Sequence, residues 1–239
     1  MASGSVRYRP TIRDDAGTHL IGPDLTGLFF DLDGVLWDTS ALHEDAFAAV
    51  CADEGLVPLP YALLAGRATP SAWTLVLAHN GRTPHPDLVA RLSTAKQLLA
   101  RKWLSDEPPL SAELGVVAAL AHSRAVLGLV TGSSSATASI FLAASGLSFD
   151  VVITGESVEV GKPGPAPYLA AAAAVGLEPG RCWVLEDSVQ GLASAAAAGA
   201  RAVHFVAAGA SCDGHHVATE GCVASIDAFV RLTGAVVAA

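Results

Sequence analysis

The sequence predicts an α/β fold: a parallel sheet with helices on both faces, interrupted after its first strand by an α-helical insert. Three observations lead there. After the double proline at 108–109, short apolar runs alternate with longer stretches of helical spacing, the rhythm of βαβ units. The turns that follow several of those runs carry polar or charged residues, as turns at the carboxyl ends of parallel strands do when they line a site. Residues 39–108, between the first apolar run and the rest, show helical periodicity and no strand.

Taken in order, residues 1–26 are rich in Gly, Ser, Asp and Arg without periodicity, and are expected to form a mobile leader. The first strand spans 27–31, an apolar run of the kind buried on both faces. From Thr39 the spacing of Leu42, Phe47, Val50 and Leu56 predicts a helix, with Thr39 or Ser40 as N-cap. A second helix contains Trp73 to Leu77, and a third runs from Asp87 to Leu104. These make residues 39–108 a helical cap, inserted between a core of 27–38 and 109–239. In that core, strands are expected at 125–130, 151–154, 182–185 and 202–206, the last closing the series. Helices are expected at 111–122, 136–145, 165–175 and 190–198.

Composition narrows the function. A chain of 239 residues suits one compact domain, or one with an inserted smaller one. The formal net charge of −9 argues against nucleic acid as a partner. No run is long and apolar enough to span a membrane, and Arg7, Arg9 and Arg13 are followed by no apolar segment of a secretory signal. Four cysteines in a chain this long read as buried thiols in a reducing compartment, hence a cytoplasmic protein, a monomer or weak homo-oligomer.

Four strand-end turns carry the chemistry. Phe29-Phe30 runs into Asp31-Leu32-Asp33-Gly34, two carboxylates that repel each other and call for a cation. A hard, oxygen-seeking divalent ion, Mg²⁺, suits them. Thr131-Gly132-Ser133 offers hydroxyls and amides to phosphate oxygens. Lys162, in Gly161-Lys162-Pro163, is a compact cation for an anion. Glu186-Asp187 adds two more hard-metal ligands. Together they form a phosphoryl-transfer kit with an enzyme carboxylate as nucleophile.

These four motifs resemble, in order, those of haloacid dehalogenase-superfamily phosphatases, in the small helical-cap branch that includes β-phosphoglucomutase and phosphoglycolate phosphatase. The resemblance covers about residues 27 to 206. It implies a Rossmann-like core with the first strand at its centre, Asp31 as nucleophile and Asp33 as general acid/base. It implies Mg²⁺ held by Asp31, the Asp33 carbonyl and Asp187 with support from Glu186, while Thr131, Gly132, Ser133 and Lys162 face the phosphoryl group. Asp33 favours phosphomonoesterase or phosphomutase chemistry over dehalogenation. In the cap, Asp38-Thr39 resembles a hinge, His43 sits where the mutases carry a cap histidine, Gly66-Arg67 resembles a substrate-specificity loop, and Lys96 falls near a lysine that contacts the distal part of the substrate. The second motif continues with Ser134-Ser135, where the mutases carry Lys and Asn. The expected activity is Mg²⁺-dependent hydrolysis of a small phosphorylated metabolite, of sugar or polyol phosphate type, through an aspartyl-phosphate. The alternatives are a sugar-phosphate mutase and a non-catalytic phospho-ligand-binding protein. Gly155 to Lys162 is one residue too long for a nucleotide-binding P-loop, and Cys212, His215, His216 and Cys222 match no common zinc spacing, so both stretches read as loops.

Overall fold

The computed structural model describes residues 26–106, 110–111, 113–120, 123, 125–206 and 219–234. Nearly all of the expected leader, and Cys212, His215 and His216, lie outside them. Six strands, β1 (Gly27–Phe30), β2 (Val126–Val130), β3 (Val151–Ile153), β4 (Cys182–Glu186), β5 (Arg201–Phe205) and β6 (Gly221–Val223), form one sheet in the order β3-β2-β1-β4-β5-β6. Every pairing is parallel. β1 lies at the centre, between β2 and β4, where the strand order reverses. That is where an open α/β sheet offers its ligand crevice.

The residues of β1 explain its place. Leu28 and Phe30 pack into the core on one face of the sheet and Phe29 into the core on the other. The two-residue period thus buries both faces. Each such side chain contributes about 1.5–3 kcal/mol of apolar burial, so β1 is held firmly enough to present a charged turn at its end.

Three helices make up the insert after β1: α1 (Ser40–Asp53), α2 (Thr69–His79) and α3 (Pro86–Asp106). They share a separate apolar cluster built on Phe47, Trp73, Val76, Leu77 and Leu92. The core helices are α4 (Leu114–Leu120), α5 (Ser135–Ser145), α6 (Ala166–Ala174), α7 (Val189–Ala197) and α8 (Ile226–Thr233). No helix among the described residues is long and apolar enough to cross a membrane.

Two expectations need correction at the carboxyl-terminal end. The strand at 201–205 does not close the series, because β6 and α8 follow it. Ser225 caps α8 by accepting the Ala228 N–H, and Ile226, Phe229 and Val230 face inward at helical spacing. Glu113, just before α4, accepts the Ile226 N–H at 2.6 Å and so ties this helix to the start of the core. The cysteines also differ from one another: Cys51 and Cys182 are free and buried, whereas Cys222 is disulfide-bonded.

Candidate active site

The site forms where β1 and β4 end. The Asp31 N–H still bonds the Leu185 carbonyl at 3.0 Å, so Asp31 prolongs the sheet and the residue is only 2% exposed. Lys162 Nζ reaches it from the loop after β3, donating to Asp31 Oδ1 at 2.7 Å, to the Val130 carbonyl at 2.9 Å and to Glu186 Oε1. Glu186 is fully buried. Tyr168 of α6 donates its hydroxyl to Oε1 at 2.5 Å, and Ser188 donates to Oε2 at 3.2 Å. Ser188 in turn caps α7 by accepting the Gly191 N–H at 3.0 Å. A side chain at Gly191 would overlap the Glu186 carboxylate, so only glycine lets β4 and α7 approach this closely.

One ammonium faces three acids here. Oxygens of Asp31, Glu186 and Asp187 lie within 4.8 Å of one another. Burial, then the charge of Glu186, pushes the Asp31 carboxyl well above its ordinary value, with Lys162 pulling the other way. The same two causes push Asp187 up to about 8. Burial would lower the Lys162 ammonium, but Asp31 and Glu186 outweigh it and hold the group well above its usual range. Lys162 therefore stays charged and leaves negative charge in excess. Clustered carboxylate oxygens with charge unspent are the donor set of a hard divalent cation, and Asp31, Glu186 and Asp187 fit one.

Asp33 faces the opposite way, toward the cap. Its Oδ1 accepts from Thr39 Oγ1 at 2.5 Å and lies 3.0 Å from His43 Nε2, and its Oδ2 accepts from Ser133 Oγ at 2.6 Å. Burial alone would raise this carboxyl, but the charge of His43 and hydrogen bonds from His43, Ser133 and Thr39 outweigh it and hold Asp33 well below the usual carboxylate range. Thr39 does occupy the N-cap position of α1, yet its hydroxyl makes no cap hydrogen bond. The helix forgoes a side-chain cap, usually about 1 kcal/mol, and the hydroxyl serves Asp33. Behind His43, its Nδ1 lies 2.9 Å from Lys96 Nζ, which sits 4.8 Å from the centroid of the Phe47 ring. Burial lowers the Lys96 amine to about 8, against the pull of Asp33.

A cleft of about 30 Å³ runs between core and cap, lined by Asp31, Asp33, Gly132 and Ser133 below and by His43, Arg67 and Lys96 above. It thus gathers seven of the residues expected from the sequence. Thr131, Lys162, Glu186 and Asp187 are not part of that lining. The Thr131 hydroxyl accepts the Ser133 N–H at 2.9 Å and so shapes the turn. Gly66, at φ +72°, lies against Ser188, and Gly132 packs against the carbonyls of Gly66 and Arg67. The expected specificity loop therefore rests on the core. Arg67 donates Nε to the Leu63 carbonyl at 3.0 Å. Ser134 caps α5, and Ser135 bonds Glu156 through both its N–H and its hydroxyl.

Sequence reasoning missed the part Thr39 plays at Asp33, missed Tyr168 and missed Tyr61, which also lines the cleft, and read Phe47 only as an apolar helix position. Tyr168 lies on the helix that opens behind Gly161-Lys162-Pro163, a place from which a side chain can reach the lysine. Phe47 and Tyr61 carry no local signal.

The comparisons with known proteins agree with this geometry. The model of haloacid dehalogenase-like hydrolases matches residues 25–199. The fructose-1-phosphate phosphatase YqaB of Escherichia coli K12 is 34% identical over 182 residues, covering 74% of this chain and 94% of that protein. Hexitol phosphatase A of the same organism is 30% identical over 192 residues, covering 78% and 84%. Among solved structures, β-phosphoglucomutase from Clostridium difficile superposes with a TM-score of 0.75 at 18% identity, covering 88% of this chain and 97% of that one, which speaks for the fold. With a central strand ending in Asp31-x-Asp33, a buried lysine bridging to Glu186 and a helical cap over both, the chain belongs to the haloacid dehalogenase-like hydrolase family.

Proposed function

We propose that this phosphoric monoester hydrolase removes the phosphoryl group from a small phosphorylated metabolite, of sugar or polyol phosphate type, in two steps through an aspartyl-phosphate on Asp31. The observation that carries the reading is the division of labour between two carboxylates two positions apart. Asp31 is buried on the core side with Lys162, and Asp33 is turned to the cap with Thr39, His43 and Ser133.

In the first step Asp31 attacks phosphorus. Lys162 holds its Oδ1, which orients the other oxygen and offsets charge on the transferring group. Ser133 and the Gly132 turn receive the phosphoryl oxygens. A substrate that takes the Ser133 hydroxyl removes one of the donors keeping Asp33 ionised. Its carboxyl then moves toward the range in which it carries a proton to the leaving oxygen. In the second step Asp33, again a carboxylate, takes a proton from the water that attacks the aspartyl-phosphate. Mg²⁺, held by Asp31, Asp187 and the Asp33 carbonyl with support from Glu186, would supply charge neutralisation for the phosphoryl group when bound.

The cleft of about 30 Å³ has room for a few waters and not for a sugar phosphate. Residues 39–108 therefore act as a cap that swings away for entry and closes to keep bulk water out. The positions at which mutases carry Lys and Asn hold Ser134 and Ser135, both committed to neighbouring groups. This supports hydrolysis over reorientation of a bisphosphate. Release of inorganic phosphate from a panel of sugar, polyol and two-carbon acid phosphates, with and without EDTA, tests the reading. Phosphate release that EDTA abolishes and Mg²⁺ restores is expected. A hexose 1-phosphate converted to the 6-phosphate without free phosphate would overturn it.

A further inference from the structure

Resting on the phosphatase reading above, we propose that Tyr61 is a substrate-contacting residue whose hydroxyl hydrogen-bonds a neutral hydroxyl of the leaving group, so that the site selects polyhydroxylated phosphate esters.

Tyr61 opens a single 3₁₀ turn, Tyr61–Leu63, held by the N–H groups of Leu64 and Ala65, both bonded to the Tyr61 carbonyl at 2.8 Å. Its ring leans on Phe47, with centroids 6.4 Å apart, and Phe47 leans on Trp73 at 5.1 Å. Phe47 and Trp73 are buried in the cap's own core. The phenol is thus held in place from behind by an aromatic stack. Tyr61 and Phe47 both line the cleft that contains Asp31 and Asp33, so the cap presents an aromatic wall to whatever leaves the phosphorus.

The polar groups on that wall differ in what is left of them. His43 and Lys96 are engaged with each other and with Asp33, and Arg67 spends its Nε on Leu63. The Tyr61 hydroxyl makes no hydrogen bond among the described residues and is not shut away from solvent. It is a donor and acceptor on a residue that lines the cleft, without a partner among the described residues. An alcohol on the leaving group, which can both donate and accept, matches both capacities of that hydroxyl. A ring face against the C–H groups of a polyol completes the contact.

The test compares wild type and Tyr61→Phe on two substrates: the polyhydroxylated phosphate ester that wild type turns over best, and p-nitrophenyl phosphate, which has no hydroxyl to offer. Removing one oxygen while keeping the ring leaves the aromatic stack intact. The expected result is a fall in kcat/KM of roughly three- to tenfold on the polyol ester, mainly through KM, with p-nitrophenyl phosphate unchanged. Equal losses on both substrates would overturn the proposal in favour of a wall-building role. An unchanged KM on the polyol ester, or phosphoglycolate as the preferred substrate of wild type, would overturn it as well. The underlying reading fails separately: it falls if wild type hydrolyses no phosphate ester at all.

Discussion

Asp31 and Asp33 stand two positions apart on one turn, yet they live in different halves of the molecule. Asp31 looks into the core, where its partner Lys162 comes from the loop after β3 and bridges to Glu186 at the end of β4, which Tyr168 of α6 also bonds. Asp33 looks into the cap, and two of its three partners, Thr39 and His43, come from the start of α1. Burial pushes the first carboxyl up, while its hydrogen-bond donors and the His43 charge hold the second down. On the proposed mechanism, the sheet supplies the reacting group and the cation site, whereas the cap governs the proton. The cap also governs who may enter, because the same α1 face carries Phe47. If so, damage to the core half should be general, and damage to the cap half should depend on the substrate.

The largest effect expected is that of Asp31→Asn. An amide is a poor nucleophile, so turnover should fall on the order of 10⁴-fold or more on every ester, aryl or polyol, while the protein stays folded. Steady-state rates on both substrate types, with circular dichroism as the folding control, check this. Retained activity on either type would break the comparison.

The same contrast decides what could be read from sequence. Singly, Asp31, Lys162 and Glu186-Asp187 each have an ordinary structural explanation, and only their succession in consecutive strand-end loops makes the site legible. The cap half has no such logic. His43 and Lys96 are 53 positions apart on α1 and α3 and meet only because those helices pack. Thr39 looked like an ordinary helix cap, and its diversion to Asp33 depends on where β1 ends in space. Tyr168 acts on Glu186 across two elements, with no spacing to announce it. The central place of β1 followed from the family resemblance, but α8 was overlooked although Ser225, the spacing of Ile226, Phe229 and Val230, and Gly234 all mark it. The stretch 207–218, which holds four Ala, two Gly and two His, broke the βα rhythm that had guided the reading.

Stability against pH sharpens the core side. Asp187 is pushed up to about 8 from an ordinary value of 3.8, and Asp31 moves in the same direction. Between about pH 4 and 8 the folded, metal-free protein therefore holds protons that the unfolded chain has released. Stability without metal should fall as pH rises through that window. Mg²⁺ competes with those protons, so its stabilising effect should grow with pH over the same range. Thermal melts in EDTA and in Mg²⁺ across the window check this. A metal-free melting temperature that rises from pH 5 to 8 would contradict the electrostatic account of the core.

Arg67→Ala probes the cap side and should do less. Arg67 lines the cleft from the loop that rests on Gly132, and a contact from it to the leaving group would be made in ground state and transition state alike. Losing a charge-assisted hydrogen bond costs roughly 1.5–3 kcal/mol, so kcat/KM on the physiological ester should drop about ten- to hundredfold through KM. A small aryl phosphate should be little affected. Equal losses on both would place Arg67 among the supports of cap closure.

The central claim is that the two aspartates divide the reaction, Asp31 taking the phosphoryl group and Asp33 managing the proton. Asp33→Asn should slow hydrolysis by roughly 10²–10⁴-fold and, with an activated aryl phosphate as donor, let the phosphorylated enzyme accumulate. The direct measurement is to quench that variant during turnover, reduce it with borohydride, which converts an acyl phosphate to an alcohol, and map the product by mass spectrometry. The account predicts homoserine at position 31 and at no other. Conversion at a different carboxylate, or an enzyme that turns over with no acyl phosphate at Asp31, would contradict it.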